Sequence, residues 1–170
     1  MKNQSFIDSI KHEDCVQILI MNPRGFGPNH NEKVEMMIQS MIEYQIDGIL
    51  LSAPDQKWLS NKIDRLKHAF KKVNQEVEII ASDSGQEART ENRYLPGGTM
   101  NILLGRLAGL RVKGKDKYDD LEKWSSFQIE GNDKMVQVIN LYRIPDSTMP
   151  GVLKSKAQYD RATGITKTAR

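Results

Sequence analysis

The chain has 170 residues, enough to bury the core of one domain of ordinary size. Its formal net charge is +3, from 25 basic and 22 acidic side chains, so charge alone indicates neither a nucleic-acid-binding nor a membrane-surface protein. The single cysteine, Cys15, excludes an intramolecular disulfide, and no apolar run approaches the roughly 18 residues of a membrane span. The first residues also lack the apolar core of a secretory signal. We therefore expect an intracellular protein, of cytoplasm or nucleus, without a membrane partner.

The first half of the chain alternates apolar runs of strand length with amphipathic helical patterns. The run VQILIM at 16–21 predicts a buried strand, and the helical spacing of apolar side chains over 31–45 predicts a helix capped by Asn31. The same reasoning predicts a strand at 46–52, a helix at 58–73 and a strand at 77–81. Because strand, helix and strand in that order imply a crossover, the first two strands are predicted to be parallel neighbours.

The second half of the chain has a different pattern. Residues 82–93 are polar and predict a loop. Three strand-like runs follow, GTMNILL at 98–104, WSSFQIE at 124–130 and MVQVINLY at 135–142. Gly131-Asn132-Asp133 between the last two is a hairpin-type turn. The whole sequence therefore predicts a layered α/β (α+β) fold, with two helices early and antiparallel hairpins late.

Polar residues at the ends of the predicted strands are the candidate functional residues, because loops at strand ends project polar groups from a rigid base. They are Asn22, the segment Ser52-Ala53-Pro54-Asp55, the segment Tyr94–Thr99, and Tyr142 with Arg143. Each also has a plain structural interpretation. Asn22 before a proline is an ordinary turn residue, Asp55 can cap the following helix, and Tyr142 can be a core aromatic with its hydroxyl at the rim.

Taken together and in order, five segments resemble a known family. These are ILIMNPRGFG, IDGILLSAPDQKW, YLPGGTMNILLGRLAG, KWSSFQIEG and VQVINLYRIP. They resemble the first half of the endonuclease/exonuclease/phosphatase superfamily, and within it the endonuclease domains of non-LTR retrotransposons. The resemblance implies the N-terminal part of a four-layer αββα sandwich with a mixed sheet. It also implies Mg²⁺-dependent hydrolysis of phosphodiester bonds, with nucleic acid, DNA in particular, as the partner.

The resemblance implies roles for individual residues. Asn22 matches the asparagine that organises the metal and the attacking water, and Tyr142 matches the tyrosine that contacts the phosphate. Arg24 lies two residues after Asn22 and Arg143 directly follows Tyr142, and from these positions we expect them to add positive charge near the substrate.

The sequence departs from the family pattern in two places. Ala53 stands where the family has a metal-binding glutamate, and Asp55, two residues on, offers the nearest carboxylate as a metal ligand. The later Asp-Phe-Asn-like and Ser-Asp-His-like segments are also missing from this sequence. We therefore expect a partial domain at 15–146, preceded by an extension at 1–14 and followed at 147–170 by a basic linker or the start of a helix leading to a second half.

Three hypotheses about function remain open at this point. The first is a partial endonuclease-like phosphodiesterase that is inactive as this chain alone. The second is a non-catalytic nucleic-acid-binding or protein-interaction module on the same fold. The third is an unrelated α/β domain, in which Asn22 and Tyr142 would not share one edge of the structure. In the first case we also expect self-association through an uncovered sheet face.

Overall fold

The computed structural model describes Lys11 and residues 15–23, 25–27, 29–52, 54, 58–82, 98–118 and 124–142. In this part of the chain the elements are β1 (Ile18–Met21), α1 (Asn31–Glu43), β2 (Gly48–Ser52), α2 (Ser60–Phe70), β3 (Val77–Ser82), β4 (Thr99–Leu104), α3 (Gly105–Gly109), β5 (Lys117–Tyr118), β6 (Trp124–Gly131) and β7 (Lys134–Leu141). Every predicted strand and helix is present with ends shifted by a few residues, while α3 and β5 are too short to give a periodic signal. None of these helices has the length and apolarity needed to cross a membrane.

Four strands form a mixed sheet, called sheet A, in the order β1-β2-β4-β3. The strands β1 and β2 pair in parallel, with Ile18 opposite Gly48 and Met21 opposite Leu51, which confirms the predicted crossover through α1. The strand β4 is antiparallel to both β2 and β3 and lies between them. All six residues of β4 are buried, as a central strand covered on both faces requires.

The remaining three strands form an antiparallel sheet, called sheet B, in the order β5-β6-β7. The hairpin between β6 and β7 turns through Asn132 and Asp133, whose φ angles are 50° and 59°. Two successive residues with positive φ define a turn whose twist matches that of the flanking strands, and asparagine and aspartate tolerate this conformation well. The predicted hairpin is therefore confirmed, together with the antiparallel second half.

Sheet A lies between two apolar layers, because successive side chains along its strands point to opposite faces. On β2, Ile49 and Leu51 belong to a cluster with the buried faces of α1 and α2, whereas Leu50 belongs to a cluster with Phe127 of β6. On β3, Ile79 belongs to the cluster with the helices and Ile80 to the cluster with Phe127. This period of two places the helices on one face of sheet A and sheet B on the other. The described residues thus form three layers, helix, sheet and sheet, in a mixed α+β fold.

The N-cap residues of the two helices differ from the sequence prediction. Asn31 is the first residue of α1 and does not cap it; the N-cap position is His30, without a side-chain cap hydrogen bond. The N-cap position of α2 is Leu59, so the interpretation of Asp55 as its cap is also wrong. In α1 the helix begins after a backbone turn in which His30 N–H donates to the Gly27 carbonyl at 2.9 Å. Loop geometry, rather than a capping side chain, sets this boundary.

Candidate functional site

The two sheets bring the ends of several strands to one edge of the fold. In sheet A, Met21 pairs with Leu51, and Thr99 pairs with both Ser52 and Ser82. The end of β7 and the start of β6 lie at the matching end of sheet B. We call this region the site edge; its described members are Met21, Asn22, Leu51, Ser52, Ser82, Thr99, Met100, Asn101, Ser125, Asn140, Leu141 and Tyr142.

Asn140 joins the two sheets at the site edge. Its side chain is 4% exposed, and its Nδ2 lies 3.0 Å from the Leu51 carbonyl oxygen and 2.9 Å from Asn101 Oδ1. Since Leu51 is the register partner of Met21, this contact puts the end of β7 at the end of β2, the strand next to β1. Asn22 and Tyr142 therefore lie at the same edge, which the third hypothesis did not expect. Asn22 is exposed and Tyr142 is half-buried.

A chain of buried hydroxyl and amide groups continues from Asn140 through the sandwich. Thr99 Oγ1 lies 2.7 Å from Ser82 Oγ and donates to Ser125 Oγ at 2.6 Å, and Asn101 Nδ2 donates to the same Ser125 oxygen at 2.9 Å. All four residues are at most 4% exposed. Mutual hydrogen bonding removes most of the cost of burying polar groups in this layer.

Sequence reasoning missed this network. Its signal is a polar residue in an otherwise apolar run, such as Asn101 in TMNILL and Asn140 in VINL. In an alternating pattern such residues suggest the solvent face, so only the register of the strands shows that they point inward.

The loop after β1 is held by three contacts. Phe26 is fully buried, and its backbone N–H donates to the Pro54 carbonyl at 2.8 Å, which ties this loop to the one after β2. From the first turn of α1, Lys33 Nζ donates to the carbonyls of Pro23 at 3.0 Å and Gly25 at 2.8 Å. Gly25 has a φ of 82°, a conformation that favours glycine. The loop that follows Asn22 is therefore fixed relative to the sheet.

Several of the predicted site residues lie outside the described residues. These are Arg24, Ala53, Asp55 and Arg143, together with the Tyr94–Gly97 part of the proline-glycine turn. Arg24 is nevertheless flanked by Pro23 and Gly25, the two residues whose carbonyls accept from Lys33. Of the predicted positions, Asn22, Ser52, Thr99 and Tyr142 are those that the fold brings to the site edge.

The described side chains of the site edge do not make a magnesium site by themselves. Their polar groups are amides and hydroxyls, and no carboxylate is among them. More widely, the described residues hold no cluster of three or more histidine, cysteine, aspartate or glutamate side chains suited to a metal ion. Magnesium is usually held by at least one carboxylate together with water or substrate oxygens. The neutral donor set described here therefore does not fit the metal that the family resemblance implies.

A charged cluster lies at the opposite end of sheet A. Arg111 contacts Glu78 at 3.1 Å and Asp116 through two nitrogens, with Nε to Oδ1 at 3.1 Å. The pKa of the Arg111 guanidinium is raised, mainly by the hydrogen bond to Asp116. Burial lowers this pKa, and the negative charges of Asp116 and Glu78 raise it further. Because Glu78 pairs with Leu103 near the far end of β4, this cluster is remote from the site edge. Its effect is to fasten the segment before β5 to β3.

Comparison with known proteins identifies the fold. No family model matches the chain, and no curated protein matches its sequence. A solved structure, an endonuclease/exonuclease/phosphatase family protein from Leptotrichia buccalis C-1013-b, matches with a TM-score of 0.52 at 14% identity. The match covers 92% of this chain and 63% of that one, so the chain spans less than two thirds of the length of that protein. At this identity the likeness establishes an endonuclease/exonuclease/phosphatase-like fold and nothing finer.

Proposed function

We propose that the chain is a partial phosphodiesterase-type domain of retroelement nuclease ancestry, which binds the phosphate backbone of DNA and does not cleave it alone. The observation that carries the proposal is the placement of Asn22 and Tyr142 at one edge of a fold shared with a nuclease-phosphatase family protein. The fold likeness supports the family, and the common edge supports a shared role for the two residues.

The chemistry of the site edge suits phosphate binding. An asparagine amide and a tyrosine hydroxyl both donate hydrogen bonds, and phosphate oxygens accept them. Arg24 and Arg143 follow Asn22 and Tyr142 closely in the sequence, and in this proposal each pairs with a phosphate. In this proposal the uncharged donors, Asn22 and Tyr142, position the DNA backbone. The cations, Arg24 and Arg143, supply most of the affinity.

The same groups are poorly suited to hydrolysis. Attack on a phosphodiester needs water that is activated by a base or a metal ion, and either contributes orders of magnitude in rate. The described site edge has neither a carboxylate nor a histidine, and Ala53 stands at the position of the family glutamate. Asp55 and Asn22 remain the candidates for holding Mg²⁺ in a longer protein. The chain alone is therefore expected to bind without cutting.

A second candidate function is a protein-interaction module that keeps the fold without binding nucleic acid. The observation in its favour is that the described members of the site edge include no cation, so their side chains do not attract a phosphate by charge. Salt-dependent binding to DNA separates the two candidates, since a protein that contacts two phosphates through cations loses about tenfold in affinity between 50 and 200 mM salt. A protein-interaction module would show no such binding.

The proposal is tested by measuring cleavage and binding on the same preparation. A supercoiled plasmid with added Mg²⁺ should stay uncut, while a DNA duplex should bind with an affinity that falls with salt. Replacing Arg24 or Arg143 with alanine should reduce the slope of log affinity against log salt by about 1 each. Robust Mg²⁺-dependent cleavage that is lost in Asn22→Ala, but retained in the exposed helical control Asn61→Ala, would contradict the non-cleaving part of the proposal.

A further inference from the structure

A cleft of about 690 Å³ lies beside the charged cluster of Arg111, Glu78 and Asp116, at the end of sheet A remote from the site edge. Its walls are the last turns of α2, the first residues of β3, and α3 with the segment that follows it. Its described lining residues fall within 64–78 and 108–113, two stretches that the structure describes without interruption. The volume is that of a site for a small molecule.

One wall of the cleft carries more cations than carboxylates. Glu78 Oε2 lies 3.1 Å from Arg111 Nη1 and 3.6 Å from Lys67 Nζ. Lys113 Nζ lies 4.0 Å from Glu78 Oε1, and Asp116 also contacts Arg111. Three cations therefore contact two carboxylates, which leaves an excess of one positive charge at this wall and attracts an anion.

The other walls add one more cation and two more carboxylates. Lys71 follows Lys67 by one helical turn, and both line the cleft. Asp64 and Glu76 line it as well, and both are exposed. The lysines suit a phosphate group, but a bare phosphate would be repelled by these two carboxylates. A phosphate ligand that also carries hydroxyl groups would satisfy both, because carboxylates accept hydrogen bonds from hydroxyls.

Other classes of ligand fit the described lining poorly. Val77 and Ala108 are the apolar side chains of this lining, which is too little surface for a lipid. His68 is the one ring among the described lining residues and is exposed, so a nucleobase would find no buried surface on which to stack. A DNA strand has no free hydroxyl groups along its chain for Asp64 and Glu76.

We propose that this cleft binds a small phosphorylated sugar. Lys71 and Lys113, which are exposed and belong to different walls, contact the phosphate through their ammonium groups. The Asp64 and Glu76 carboxylates accept hydrogen bonds from the sugar hydroxyls. Arg111, whose side chain is 13% exposed, keeps its ion pairs and holds the charged wall in place. The site is separate from the site edge and does not depend on the proposed function.

The direct test is a titration of the full chain with ribose 5-phosphate, followed through backbone amide chemical shifts by NMR. Shifts within 64–78 and 108–113 should move and saturate, while those of 140–142 stay constant. Lys71→Met and Lys113→Met should each weaken binding about fivefold or more, because each removes a hydrogen bond to a charged oxygen. Lys115→Met, at an exposed position outside the described lining, is the matched control and should bind like wild type.

A comparison of ligands tests the sugar part of the proposal. Inorganic phosphate should bind about tenfold more weakly than ribose 5-phosphate, and the double variant Asp64→Asn, Glu76→Gln should narrow that difference. Equal affinities of wild type for the two anions would overturn the proposal. So would the absence of saturable binding, shifts outside the cleft, unchanged affinity in both folded lysine variants, or tighter binding of an RNA oligonucleotide. Tyr142→Phe should bind ribose 5-phosphate like wild type, so a failure of DNA binding at the site edge is distinguished from a failure here.

Discussion

Asn140 Nδ2 lies 2.9 Å from Asn101 Oδ1, and this hydrogen bond between two buried amides joins the sheets of the sandwich at the site edge. Asn140 belongs to β7 in sheet B and Asn101 to β4 in sheet A. The same Asn140 amide donates to the Leu51 carbonyl on β2, so one side chain connects β7 with both β4 and β2. This contact places the end of β7, which continues into Tyr142, at the end of β2.

Replacing Asn140 with alanine should therefore destabilise the domain. The change leaves the buried Asn101 Oδ1 without this donor and opens a small cavity, at a cost of about 2 to 3 kcal/mol in the free energy of unfolding. Urea denaturation followed by circular dichroism measures the cost. Lys134→Ala, an exposed position on the same strand, is the control and should change stability by less than about 0.5 kcal/mol. Equal stabilities for the two variants would show that the amide does not join the sheets.

The charged cluster at the other end of sheet A gives a second prediction. Arg111→Lys keeps the charge but loses the two-nitrogen contact with Asp116, so we expect a loss of about 1 to 2 kcal/mol in the free energy of unfolding. Lys113 lies 4.0 Å from Glu78 with its side chain 81% exposed, so Lys113→Ala should have almost no effect. Thermal denaturation of both variants checks this contrast, and a larger loss in Lys113→Ala would refute it.

The loop after β1 gives a third prediction, because Lys33 is expected to position it. Lys33→Met removes the hydrogen bonds to the Pro23 and Gly25 carbonyls while Phe26 stays buried. The loop should then open locally without global unfolding, and amide exchange over 25–27 should accelerate about tenfold. Lys115→Met, at an exposed position near β5, is the control. Unchanged exchange in Lys33→Met would mean that the other loop contacts are sufficient.

Local patterns in the sequence predict most of the elements but not their arrangement. Apolar runs such as VQILIM and IDGILLS identify β1 and β2, and the turn at Asn132-Asp133 identifies the last hairpin. The position of β4 between β2 and β3 depends on pairing between distant segments, which no local pattern encodes. The N-cap positions His30 and Leu59 were missed because neither makes a side-chain cap hydrogen bond, so the usual capping pattern does not mark them.

The candidate site was predictable only in part. The resemblance singled out Asn22 and Tyr142, and the strand register brings them to one edge. Asn101 and Asn140 were not singled out, because a polar residue in a strand looks solvent-facing until the partner sheet is known. The roles of Arg24, Asp55 and Arg143, which lie outside the described residues, stay predictions.

The measurement that tests the central claim most directly is the affinity of the chain for a labelled DNA duplex, by fluorescence anisotropy with a metal chelator present. If the site edge binds phosphate through its own donors, wild type should bind without metal. Tyr142→Phe, which loses one hydrogen bond to a charged oxygen, should then bind about five- to tenfold more weakly. Tyr118→Phe, at an exposed position on β5, should bind like wild type. No binding by wild type, or equal affinities for the two tyrosine variants, would contradict the account.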